Sequence, residues 1–198
     1  MRAAILTIST SVAAGRAQDS SGDALAAAAA QLGAEVVVRE VLSDDRGAIE
    51  GALRRLADPD RGIALILTTG GTGLTVDDVT PEATRAVIER DVPGLAEAMR
   101  AESIRHTPMG MLSRGVSGVA GRTLIINFPG SPRAIGELFG VIAPVLAHAT
   151  ELIARQPGRP WSGAGHCHDE QRRHPHGGGH EHPHGGGHEH PHGESHGR

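Results

Sequence analysis

Thr68-Thr69-Gly70-Gly71-Thr72-Gly73, with Asp77, Asp78 and Thr80-Pro81-Glu82 close behind, is the stretch on which the reading of this chain turns. An apolar run, Ile63 to Leu67, leads in, and a helix-like segment leads out. The order strand, glycine loop, acidic pair, helix start suits phosphate chemistry. Glycines let a ligand approach the backbone, and a helix N-terminus attracts anions. The cluster is neither GxGxxG nor a Walker A loop, which needs a lysine after its last glycine.

Upstream, Ala3 to Ile8 reads as a buried strand that ends at Ser9-Thr10-Ser11. A small-residue loop with Gly15 follows. Asp19, Ser20 or Ser21 then caps an alanine-rich helix over Asp23 to Leu32, closed by Gly33. Glu35 to Leu42 is a second strand, and Ser43-Asp44-Asp45 caps a helix that breaks at Asp58-Pro59-Asp60. Downstream, Thr80 is expected to cap a helix with Pro81 at its first position and Glu82 in its positive first turn. Pro93-Gly94 interrupts, and Leu95 to Ile104 is helical again. Leu112 to Val116 and Arg122 to Phe128 read as two strands joined at Ala120-Gly121. Pro129-Gly130-Ser131-Pro132 is a second tight strand-to-helix turn, opening a last helix over Arg133 to Arg155 that Pro144 should kink. Alternating strands and helices predict an α/β fold with a mainly parallel sheet. Ligands of such sheets sit outside the carboxyl ends of the strands, so Ser9, Asp44 and Gly70 to Gly73 should share one rim.

Composition divides the 198-residue chain in two. Residues 1–157 carry recurring apolar blocks and are expected to form one domain. Residues 158–198 turn to Gly, Pro, His and charge, a composition that cannot pack a core and predicts a disordered tail. A net charge of −4, two Phe, one Trp and no Tyr argue against nucleic acid as a partner. All nineteen basic residues are Arg, which excludes a P-loop or Schiff-base lysine. The single Cys167 fits a reducing compartment. No stretch reads as a membrane span or an apolar leader, so a cytoplasmic location and no membrane contact are expected.

Each of the two strand-to-helix turns could hold an anion with backbone N–H groups. Arg114 is a candidate counter-charge, and Asp44 and Asp78 are candidates to hold Mg²⁺ beside substrate phosphates. Together these parts suit phosphoryl or nucleotidyl transfer. A plainer reading of the same residues treats them as ordinary turns and helix caps.

The run from Thr68 to Gly73, followed by Asp78-Val79-Thr80-Pro81-Glu82-Ala83, closely resembles the signature of the MogA/MoaB-type molybdopterin-binding family, a module also found in gephyrin and plant Cnx proteins. Ser9 with Gly15, Asp19, Ser21 and Gly22 resembles the family's first loop, and Asp44 falls in its acidic turn. Ser103, Pro108, Leu112-Ser113-Arg114 and Pro129-Gly130-Ser131-Pro132 match later segments, so the resemblance covers about residues 3–155. It implies a three-layer, Rossmann-like α/β domain, a homotrimer in molybdenum cofactor synthesis, able to pass its product to a downstream molybdenum-insertion protein. In active members molybdopterin and Mg²⁺–ATP are the substrates, adenylylated molybdopterin the product, and pyrophosphate the leaving group. By resemblance, Asp44 and Asp78 handle Mg²⁺–ATP. Gly70, Gly71, Thr72 and Gly73 cradle the pterin or its phosphate, and Ser9, Asp19, Ser21, Thr80, Ser113, Arg114, Pro129, Gly130 and Ser131 complete the pocket. Two positions depart from the common pattern: Asp77 replaces Arg, and Ser9-Thr10 replaces Ser-Asp. A binding-only MoaB-type paralogue is therefore the alternative.

Near the C-terminus, His174-Pro175-His176-Gly177-Gly178-Gly179-His180-Glu181 recurs from His182 to Glu189 and in part from His190. The residues His166, Cys167, His168, His174, His176, His180, His182, His184, His188, His190 and His192 form a ligand set suited to Ni²⁺, Zn²⁺ or Co²⁺. A solvated low-complexity tail is the plainer alternative.

Overall fold

The structure, a computed structural model, describes residues 1–155. The His-rich segment and its expected metal ligands, His166 to His192, lie outside the described residues.

Six strands form one sheet: β1 (Arg2–Ile8), β2 (Glu35–Leu42), β3 (Leu65–Thr69), β4 (Arg90–Asp91), β5 (Ser117–Ala120) and β6 (Thr123–Phe128). Their order is β2-β1-β3-β6-β5-β4. The first four in that order are mutually parallel, while β5 and β4 run antiparallel at one edge. The sheet is therefore mixed and mainly parallel. Six helices accompany it: α1 (Thr10–Ala13), α2 (Ser20–Gln31), α3 (Arg46–Leu56), α4 (Thr80–Arg85), α5 (Pro93–His106) and α6 (Pro132–Ala154).

The period of two along β1 builds the layers. Ala3 and Ile5 face a core shared with Leu25 and Ala29 of α2, Leu95 and Met99 of α5, and Ile135, Leu138, Ile142 and Leu146 of α6. Ala4, Leu6 and Ile8 face the opposite core, filled by Ile49, Leu53 and Leu56 of α3, Ala83 of α4 and Val87 just beyond that helix. Both phenylalanines of the sequence meet in the first core, Phe128 and Phe139 stacking with centroids 6.0 Å apart. Three layers result, helices on both faces of a sheet whose central strands are apolar throughout.

Local signals explain the helix boundaries. The Asp19 carboxylate accepts the Gly22 N–H at 2.9 Å, so α2 starts at Ser20, three residues earlier than the alanine run suggested. Asp45, rather than Ser43 or Asp44, caps α3 by accepting the Ala48 N–H at 2.7 Å. Ser131 caps α6 with Pro132 at its first position. That helix is 23 residues long and contains an 18-residue window of mean hydropathy 1.4, long and apolar enough by length and composition to cross a membrane. Its face Ile135, Leu138, Phe139, Ile142, Leu146 belongs to the core of the domain, and it is a core helix.

Three expectations need correction. Ser9-Thr10-Ser11 does not open a loop, because Ser9 caps the short helix α1. Pro93 does not interrupt a helix but begins α5 as its first residue, where its missing N–H costs nothing. Leu112 to Val116 is not a strand. Thr107 and Pro108 start a 3₁₀ turn over Pro108–Leu112, and the chain then runs extended to β5 at Ser117.

Candidate functional site

The carboxyl ends of β1, β3 and β6 lie side by side. Thr7 is in register with Thr69, and Thr69 with Phe128. The glycine loop leaves β3 there, and the Pro129–Ser131 turn leaves β6 beside it. Gly70 N–H donates to Phe128 O at 3.2 Å, and Thr69 Oγ1 donates to Pro129 O at 2.9 Å. The two turns are thus tied into one wall.

Glycine is required in this wall. Gly70 sits at φ +97, and a Cβ there would lie 2.2 Å from the carbonyl oxygen of Ile8. Gly71 sits at φ +62, and its Cβ would meet Thr80 Oγ1 at 2.4 Å. Thr80 itself departs from expectation. Its hydroxyl does not cap α4, whose preceding residue Val79 supplies no side-chain cap. It is fully buried and donates to Gly70 O at 2.9 Å, so it fastens the glycine loop from beneath.

A cavity of about 430 Å³ opens in front of this wall. Of the residues singled out in the sequence, Gly70, Gly71, Thr72, Gly73, Asp78, Ser113, Pro129 and Gly130 line it. Asp78 is bound tightly to its own turn: Oδ2 accepts Thr75 N at 2.8 Å and Thr75 Oγ1 at 2.6 Å. Burial pushes the Asp78 carboxyl up, but the Thr75 hydroxyl, the Thr75 and Gly73 N–H groups and the charge of Arg114 outweigh it and hold the pKa below its ordinary value. Asp78 therefore faces the cavity as a carboxylate.

Other expected residues do not line it. Arg114 lies under the loop: its Nε donates to Gly73 O at 2.6 Å, and its two terminal nitrogens bond Glu82 Oε1 and Asp78 O. The backbone N–H of Arg114 also donates to Thr72 O at 3.0 Å. All three guanidinium nitrogens are spent on protein, so this arginine clamps the loop to α4. Burial pushes Glu82 up, yet its bond to Arg114, with the charges of Arg114 and Arg85, leaves its pKa below the ordinary value. Glu82 Oε2 is buried without a hydrogen-bond partner.

Ser9, Asp19, Ser21 and Ser131 lie in the first turns or caps of α1, α2 and α6. Asp19 also accepts Thr7 Oγ1 at 3.0 Å, and Ser21 is buried. Asp44 follows β2, whose last residue pairs with Ile8 at the end of β1. Its Oδ2 accepts Thr10 N at 2.8 Å and Thr10 Oγ1 at 2.7 Å, while its own N–H donates to Thr10 Oγ1 at 3.1 Å. Thr10, conspicuous in the sequence as a departure, thus holds the Asp44 carboxylate. Among the described residues no group of three or more His, Cys, Asp or Glu side chains could hold a metal ion. A cation here would rely on Asp78 together with oxygens of a ligand, the mode Mg²⁺ favours.

Of the far wall the sequence reading singled out Ser103 alone. Ala96, Met99, Arg100, Ser103 and Thr107 line it at helical spacing from α5 and its end. Asn127 lies at its base, buried, donating to Thr68 Oγ1 at 3.0 Å and Thr84 Oγ1 at 2.9 Å. An asparagine inside the apolar run Leu124 to Phe128 was the available signal, since a buried amide must find partners.

A cavity between two glycine turns at the carboxyl edge of a mainly parallel sheet defines the class: an α/β domain with its pocket where such sheets take their ligands. A family model described as "Probable molybdopterin binding domain" matches residues 4–148. The chain belongs to this molybdopterin-binding domain family. It is similar to the molybdopterin biosynthesis enzyme MoaB of Thermus thermophilus, at 48% identity over 81% of this chain and 98% of that one, with a TM-score of 0.72. A solved structure of MogA is similar at 43% identity over 78% of this chain and 100% of its own, with a TM-score of 0.73. The molybdopterin adenylyltransferase of Helicobacter pylori strain J99 is 39% identical over 58% of this chain and 64% of its own length. The Drosophila melanogaster molybdenum cofactor synthesis protein cinnamon is 44% identical over 59% of this chain and 19% of its own length. The matched segments thus span 64% and 19% of these two relatives.

Proposed function

We propose that the chain is a molybdopterin adenylyltransferase acting in molybdenum cofactor synthesis in the cytoplasm. The terminal phosphate oxygen of molybdopterin attacks the α-phosphorus of ATP. A phosphoanhydride bond forms, the bond to the β-phosphate breaks, and pyrophosphate leaves. The observation that carries this reading is the joining of two glycine turns and one carboxylate, Asp78, around a single cavity. The backbone N–H groups of Gly71, Thr72 and Gly130 offer donors for phosphate oxygens, those of Gly70 and Gly73 being engaged by Phe128 O and Asp78, and Ser113 adds a hydroxyl. Asp78 fits Mg²⁺, which enters with the nucleotide and neutralises phosphate charge. Relatives described as molybdopterin adenylyltransferases at 39–45% identity support the chemistry.

Purified protein, molybdopterin, ATP and Mg²⁺ test it: pyrophosphate and adenylylated pterin should accumulate, and Asp78→Asn should lower the rate by at least about 100-fold, as expected when a charge on the reacting phosphates is lost. Pterin binding without turnover would leave the binding-only paralogue. That second reading is favoured by one observation, the engagement of the Asp44 carboxylate by Thr10 instead of by the cavity.

A homotrimer is part of the proposal. Val141, Val145 and Leu152 stand exposed on the outer side of α6, an apolar stripe at helical spacing that subunit contact would cover. Sedimentation velocity of the full chain should show a species of three subunits. Delivery of product to a molybdenum-insertion protein completes the reading. Transition-metal binding by the His-rich segment is a separate proposal resting on composition. Ni²⁺ or Zn²⁺ titration should give a higher stoichiometry for the full chain than for one ending at residue 158, and equal stoichiometry would overturn it.

A further inference from the structure

The cavity has two charged lining residues among those described, Asp78 and Arg100, and the arginine has no carboxylate partner there. Its position is unusual for its type. On α5, Ala96 and Met99 are buried against the core, and Arg100 lies on the same side of the helix, half-buried. One of its terminal nitrogens donates to Gly115 O at 2.9 Å. That bond fixes the guanidinium beside Ser113 and the segment whose Arg114 N–H is bonded to Thr72 of the glycine loop.

A guanidinium has five donors, and one bond to a carbonyl leaves the others for whatever occupies the cavity. A cation partly withdrawn from water and without a counter-ion is unfavourable, and an entering anion relieves that cost. Arg114 does not line the cavity, and each of its three guanidinium nitrogens already bonds Gly73, Glu82 or Asp78. From this geometry we infer that Arg100 is the phosphate-binding side chain of the cavity, taking a phosphate monoester or phosphoanhydride oxygen of a ligand whose other oxygens rest on the glycine turns. The inference rests on the proposed adenylyltransferase reading for its ligands but not for its test, which is binding.

Inorganic pyrophosphate, AMP and molybdopterin are titrated calorimetrically into the full chain and into Arg100→Gln and Arg100→Lys, in low and high salt. The glutamine retains a donor for Gly115 O while removing the charge. The ligand that contacts Arg100 should bind roughly 10- to 100-fold more weakly to Arg100→Gln, the loss typical of a charge-assisted bond. Arg100→Lys should recover much of the loss, and the salt dependence should shrink in the glutamine variant. Which of the three ligands shows the effect distinguishes leaving group, nucleotide and pterin phosphate as its source. Pyrophosphate, if it is that ligand, should also raise the unfolding midpoint of the wild type more than that of Arg100→Gln. Unchanged affinity for all three ligands in Arg100→Gln overturns the inference, as does failure of the wild type to bind any of them. Binding without pyrophosphate release in the enzymatic assay would defeat the adenylyltransferase reading while leaving Arg100 in place.

Discussion

Gly70 and Thr80 show how much of the pocket depends on single atoms. Alanine at position 70 would need both a left-handed backbone and room that the Ile8 carbonyl fills. Gly70→Ala should therefore cost at least about 2 kcal/mol and abolish phosphate-ligand binding, read by denaturant unfolding and calorimetry. Thr80→Val keeps shape but strands the Gly70 carbonyl. It should lose about 1–2 kcal/mol, and Thr80→Ser should recover most of that, since the hydroxyl and not the methyl makes the bond. Equal stability of the valine and serine variants would show that this bond contributes nothing. At this scale the glycines were legible in the sequence because left-handed turns need them. The role of Thr80 was not, because a threonine before proline looks like a helix cap whatever its hydroxyl meets ten residues away.

Among the elements, α4 owes its placement to the Arg114 clamp, which joins the extended segment before β5 to the glycine loop and to Glu82. Arg114→Met removes three charge-assisted bonds and leaves Glu82 only the more distant Arg85, at 4.0 Å. Because both side chains are about one-third exposed, solvent screening limits the expected loss to about 1–3 kcal/mol of unfolding free energy. If the clamp also shapes the loop, ligand affinity should fall in the same variant. Strand and helix order was legible from periodicity, caps and proline. The misread stretch, Leu112 to Val116, alternates no more clearly than a loop, and its course is set by Pro108 and by the pull of Arg114 across to residues 72, 73, 78 and 82. The short edge strand β4, Arg90–Asp91, carries no apolar signal of its own and exists because β5 offers it partners.

For the whole molecule, pH is the simplest probe of the site's electrostatics. Asp78 and Glu82 both have folded pKa values below their ordinary ones. The unfolded chain therefore binds their protons first, and their contribution to stability is complete above about pH 4–5 and lost as pH falls through the folded values. Unfolding midpoints measured from pH 7 down to about 2.5 should fall in that range, more shallowly for Glu82→Gln. A midpoint profile identical in the variant would remove Glu82 from the account. By itself the sequence determined the order of elements, the mainly parallel α/β class, the two glycine turns and the family, because these rest on local spacing and backbone chemistry. Only the tertiary structure decided which charges face the ligand. Arg114, 41 residues beyond Gly73, turns beneath the loop, while Arg100, nearer to the loop in sequence, is placed by α5 on the opposite wall; chain packing, not sequence distance, sets where a long side chain ends.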